Sequence, residues 1–90
     1  MNEPDLGMIV TAKAGRDRGK RFIIVGCFDE THVLIADGNT RTIARPKKKK
    51  VMHVRVETAR AENIRQKLVE GIVVQDAEIR KAIAICTLKQ

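Results

Sequence analysis

Breaks at residues 15–19, 29–30, 37–40 and 46–50 cut the stretch from Met8 to Val56 into short apolar runs. Each run is too brief for a stable helix and is rich in β-branched residues, so strands are expected. Residues 8–14 alternate, with Met8, Val10, Ala12 and Ala14 on one side and Ile9, Thr11 and Lys13 on the other. Glycines bound the turn 15–19, where the backbone requires positive φ. Residues 20–27 read as a second strand and 32–36 as a third, separated by the break at Asp29-Glu30. Asp37-Gly38-Asn39-Thr40 is the clearest hairpin signal, because Gly38 and Asn39 tolerate left-handed conformations. It predicts a returning strand over 41–44. Pro46 and the four lysines Lys47–Lys50 then read as a loop, since adjacent like charges resist burial, and 53–56 closes the sheet. Five short strands in so little chain predict a small, strongly bent β-barrel.

Such a barrel has little interior, and the tail supplies more. Ala61, Ile64 and Leu68 share one helical face, with Thr58 as the expected N-cap and Gly71 as the stop. Asp76 is the expected cap of a second helix, in which Ile79, Ala82, Ile83 and Cys86 recur at i, i+3, i+4 and i+7. Neither apolar stripe can remain in water, so both helices should dock on the barrel. The expected fold is mainly β: a barrel over residues 6–56, braced by a helical extension over 57–90. A chain of 90 residues makes this one domain.

Charge is distributed unevenly. The net charge is +7, yet the stretch from Lys13 to Arg55 alone carries 12 basic against four acidic residues. A polyanion is the natural partner for such a field. Other classes find less support. Apolar runs such as residues 22–25 and 33–36 are far too short to cross a bilayer, so no membrane partner is expected. The opening Met1-Asn2-Glu3-Pro4-Asp5 is acidic and lacks the plan of a secretory signal, which points to the cytoplasm. Cys27 and Cys86 form no C-x-x-C pair and are expected to be reduced, buried thiols; together with His32 and His53 they have the spacing of no zinc finger, so no metal is expected. The chain has no serine, two isolated histidines and no phosphate-binding glycine loop. Catalysis, a cofactor and a small-molecule substrate are therefore not expected.

Two basic clusters are the candidate binding residues. Arg16, Arg18, Lys20 and Arg21 crowd a glycine-bounded turn, where the backbone can approach a phosphate closely and Arg offers a planar fork. Asp17 is expected to fix that turn by bonding to its backbone, and Lys13 to extend the patch. Lys47, Lys48, Lys49 and Lys50 form the second cluster, expected to be a mobile loop that wraps the backbone of a polyanion. Arg41, Arg45 and Arg55 link the two if they share a face. Aromatic residues are scarce: Phe22 reads as core and Phe28 as closing the barrel, so recognition should rest on shape and phosphates rather than stacked bases.

The segment GMIVTAKAGRDRGKRFIIV, residues 7–25, resembles a KOW motif, with the run 14–20 carrying most of the likeness. KOW motifs recur in large-subunit ribosomal proteins and transcription elongation factors. Asp37-Gly38, Arg41, Pro46-Lys47 and His53 resemble positions in the small bacterial KOW proteins, which are similar in turn to KOW-containing large-subunit ribosomal proteins of archaea and eukaryotes. The resemblance covers residues 6–56 well and the tail more loosely. It implies a five-stranded SH3-like barrel that binds ribosomal RNA or the large subunit without catalysis. Gly15, Asp17, Gly19, Asp37 and Gly38 would shape its turns, and His53 would either contact RNA or close the last strand. Met52 departs from the pattern, standing where related sequences carry a basic residue. The alternative reading is a protein-interaction module that contacts the transcription or translation machinery.

Overall fold

Met8, Val10 and Ala12 turn into one apolar cluster and Ile9 into another, as their alternation predicts. They lie on β1 (Met8–Ala12), followed by β2 (Arg21–Cys27), β3 (His32–Ala36), β4 (Lys47–Lys50), a 3₁₀ turn (Val51–His53), β5 (Val54–Arg60), α1 (Glu62–Glu70) and α2 (Asp76–Leu88). The computed structural model describes residues 4–88; residues 1–3, part of the N-terminal reading, and 89–90, the end of the expected extension, lie outside the described residues. The strands form one antiparallel sheet in the order β4-β3-β2-β1-β5. The fold is thus mainly β with a helical C-terminal extension.

Each face of the sheet has its own core. On the inner face Val10, Phe22, Ile24 and Ile35 are fully buried with Val33 and Val54, so side chains from β1, β2, β3 and β5 meet in one cluster. Register shifts between Met8 and Val10 and between Ile24 and Gly26 add the local bend that this convergence needs. On the outer face Ile9, Ile23 and Ala36 pack against Ile64, Val74, Ile79 and Cys86 of the tail, with Leu68, Ala82 and Ile83 at the margin. The helical stripes read from the sequence are therefore the ones buried. Ile64 and Ile79 are completely excluded from solvent, and each such side chain contributes about 1.5–3 kcal/mol.

The helix ends differ in part from expectation. Thr58 lies within β5, which runs past residue 56 to Arg60, and α1 starts after Ala61 with no side-chain cap. The Ala61 N–H instead donates to the carbonyl of Gly7, just before β1, at 2.9 Å, which holds the chain where the helix begins. Gly71 closes α1 in the left-handed conformation, as expected. Asp76 is the first residue of α2 and does not cap it. The Gln75 carbonyl accepts the first helical bonds, while Glu78 Oε2 accepts from the Gln75 N–H at 2.9 Å, the reach-back half of a capping box. Asp76 Oδ1 accepts from the Ile43 N–H at 2.8 Å, tying the loop after β3 to the helix.

That loop replaces the expected fourth strand. Asp37 Oδ1 accepts from the N–H groups of Asn39 and Arg41, making a tight turn, but residues 41–44 form no strand. Ile43 is drawn instead into the outer core beside α2. The strand falls on Lys47–Lys50, the expected loop, because alternation relieves the charge. Lys47 and Lys49 pair with Ile35 and Val33 and share their inward face, while Lys48 and Lys50 are exposed. A lysine stem can lie along apolar surface provided its ammonium reaches an acceptor. Cys86 is buried as expected, whereas Cys27, at the open end of β2, is exposed.

Candidate nucleic-acid interface

Gly15 and Gly19 take φ values of 81° and 87°, which lets residues 15–19 fold into a turn of short hydrogen-bonded loops. Arg18 N–H donates to the Gly15 carbonyl at 3.2 Å, Gly19 N–H to Ala12 at 2.8 Å and Lys20 N–H to Asp17 at 2.9 Å. Arg16 and Arg18 project from this turn, exposed, and their guanidinium groups pair with no acceptor among the described residues. Asp17, between them, turns the opposite way and is only 7% exposed.

Asp17 collects cations from the end of its own turn and from two other segments. Its Oδ2 lies 3.1 Å from Lys47 Nζ and 3.9 Å from the Arg41 guanidinium, and its Oδ1 lies 3.8 Å from Lys20 Nζ. Burial raises the pKa of Asp17, but the Lys47 hydrogen bond and the charges of Lys47, Arg41 and Lys20 outweigh it and leave the carboxyl below its ordinary value. The carboxylate is therefore a cross-segment clamp, in place of the backbone bond expected of it. Two residues further along β4, Lys49 Nζ donates to the Ala14 carbonyl at 2.9 Å. The two expected clusters, rigid turn and mobile loop, are one body.

Other candidates scatter around this body. Arg41 joins it directly, whereas Arg45 is exposed beside Pro46. Lys13 is exposed, and its N–H donates to the His53 carbonyl at 2.8 Å, which sets the half-buried His53 next to it. Arg55 lies across β1 from Thr11 and pairs with Glu57 at 3.4 Å, so its charge is largely offset. Lys50 pairs with His32 in the ladder. Lys48 Nζ sits 4.5 Å from the ring centre of Phe28, and that ring is 58% exposed rather than used to close a barrel. Asp29 is locked in its own turn: the Thr31 N–H and then His32 hold its carboxyl down to about 2.

Arg21 leaves the cluster. It lies on the outer face of β2, and its guanidinium donates to Thr87 Oγ1 of α2 at 2.9 Å. Beside it stands Arg80, a cation the sequence did not single out, whose guanidinium donates to the Gly38 carbonyl at 2.6 Å. Its position on the polar flank of the Ile79–Ile83 stripe was readable, but not which loop it would face. Gly38 meets α2 so closely that a Cβ there would lie 2.4 Å from the Asp76 carbonyl oxygen.

Among the described residues no three His, Cys, Asp or Glu side chains converge as a metal site, and no helix is long and apolar enough to cross a membrane. No protein-family model matches the chain, and no curated protein matches it.

Proposed function

We propose that this chain is a non-catalytic, cytoplasmic RNA-binding module of the KOW type, with an SH3-like barrel, that engages ribosomal RNA or the large ribosomal subunit. The observation that carries the reading is the pair Arg16 and Arg18, held on a glycine-bounded turn with no counter-charge among the described residues, while Asp17 turns inward. Two exposed forks on a stiff turn suit phosphate oxygens, and little conformational freedom is lost when they bind. Lys20, Arg41 and Lys47, gathered on a single carboxylate, leave a local surplus of positive charge beside them. The bent five-stranded sheet is compatible with the barrel that the KOW resemblance implies.

The test is a salt titration against a structured fragment of large-subunit ribosomal RNA, with ribosome co-sedimentation beside it. With on the order of five phosphates neutralised, log K should fall against log salt with a slope of roughly −3 to −5. A flat response would exclude an electrostatic RNA site. The second reading, a module for a protein partner, draws on the exposed Val69, Ile72 and Val73 around the helix connection. Sedimentation with ribosomes that survives replacement of Arg16 and Arg18, but not of these three, would favour it.

A further inference from the structure

The turn bearing Arg16 and Arg18 does not end at a flat surface. Gly19 and Lys20 form one wall of a groove of about 520 Å³, the loop 37–40 forms its floor, and Arg80, Ala84 and Thr87 of α2 form the opposite wall. This is the size of an ordinary ligand cleft, and the charged side chains along it suit a charged occupant. Lys20, Arg21 and Arg80 line it against the single carboxylate of Asp37. That carboxylate is already engaged by the N–H groups of Asn39 and Arg41 and the hydroxyl of Thr40, which tempers its repulsion of an anion. Arg80 is anchored through one nitrogen to the Gly38 carbonyl, and its remaining N–H groups have no partner among the described residues.

The floor and the helical wall are fixed to each other. Gly38 abuts the first turn of α2, and the Ile43 N–H bonds to Asp76, so the groove exists before anything enters it. We propose that it carries further phosphates of the same RNA strand, making α2 one wall of the RNA site as well as a cover for the sheet. The inference rests on the RNA-binding reading and deepens it: the phosphodiester backbone leaves the arginine turn along Lys20 and runs between the 37–40 loop and the helix. A preformed groove adds contacts at little ordering cost.

Ala84 is exposed in the helical wall, so Ala84→Glu places a carboxylate in the groove without touching either core. Ala84→Gln controls for size, and Asn63→Glu, at an exposed position of α1 outside the groove, controls for net charge. Against a ribosomal RNA hairpin at low salt, Ala84→Glu should bind about tenfold more weakly, while both controls stay within about twofold of wild type. Its salt slope should be shallower by about one, as for a lost phosphate contact. Amide NMR shifts of Thr40 and Ala84 in the wild-type protein should move on adding the hairpin. Thermal melts establish that each variant is folded. If Ala84→Glu binds like Asn63→Glu while Arg16→Ala with Arg18→Ala binds weakly, the groove proposal fails and the turn remains the site. If the wild type binds no RNA, both readings fall together.

Discussion

The ammonium of Lys47 lies 3.1 Å from the carboxylate of Asp17, joining the edge strand β4 to a turn thirty residues earlier in the chain. Because Asp17 is nearly buried, the pair is part of the framework, and the lysines of β4 divide between structure and surface.

Replacing Asp17 by Ala should therefore destabilise the fold. It strands the Lys47 ammonium and leaves Lys20, Arg41 and Lys47 to repel one another, at a cost of about 1–3 kcal/mol. In a domain of this size each kcal/mol lowers the melting temperature by roughly 4–8 °C. A thermal melt that matches wild type would show that the clamp contributes nothing.

The same carboxylate sets an acid limit. Its pKa is lower in the folded chain than its ordinary value of 3.8, so its contribution is fully present above that value. The contribution is lost as pH falls through the folded pKa. Urea midpoints measured down the pH scale should fall less steeply for Asp17→Asn than for wild type in this acid window. Parallel curves would assign the acid sensitivity to other carboxylates.

Arg16→Ala with Arg18→Ala should behave in the opposite manner. Both side chains are exposed, so the melting temperature should stay within a degree or two of wild type, surface changes costing about 0.5 kcal/mol or less. RNA affinity should fall, with the salt slope shallower by about two. An unaltered slope would move the phosphate contacts elsewhere.

Ile79→Ala tests the helical cover. Ile79 is fully buried between α2 and the sheet, where removal of such a side chain costs about 2–5 kcal/mol. Denaturant midpoints would read the loss. A cost under about 1 kcal/mol would mean that the helix repacks easily or rests only loosely on the sheet.

Gly38→Ala should also destabilise. The residue has φ of 77° and its new Cβ would press on the Asp76 carbonyl and Arg80, so strain in the turn adds to a clash with α2. Hydrogen exchange should then quicken at the Ile43 amide, which is bonded to Asp76. Unchanged protection there would show the loop to be held by other contacts.

What was legible in the sequence was local and periodic. The two-residue alternation of β1, the helical spacing of Ile79, Ala82, Ile83 and Cys86, and the left-handed stop at Gly71 all appear where the pattern puts them. What was missed depends on distant partners. Four adjacent lysines read as a loop because their acceptors, Asp17 for Lys47 and the Ala14 carbonyl for Lys49, lie thirty and thirty-five positions earlier in the chain. Ile43 left the hairpin for the helix side because the amide acceptor on Asp76 is thirty-three residues away. The arginines of the turn were named from composition and spacing, whereas Arg80 joined the candidate surface only through the packing of α2 against Gly38.

The double-sided burial of β1 bears on how the strand finds its register. Ile9 and Val10 are both buried, on opposite faces, so a slip by one residue would exchange two aliphatic side chains between two oily compartments. In a one-sided sheet the same error would thrust polar groups inward and be rejected at once. Here the veto falls to directional contacts: Thr11 Oγ1 donating to Glu57 at 3.0 Å, and Gly7 joining the Ile24 carbonyl to the Ala61 N–H. A chain weakened at Thr11 or Gly7 would be prone to mispaired strands long before its cores were short of apolar surface.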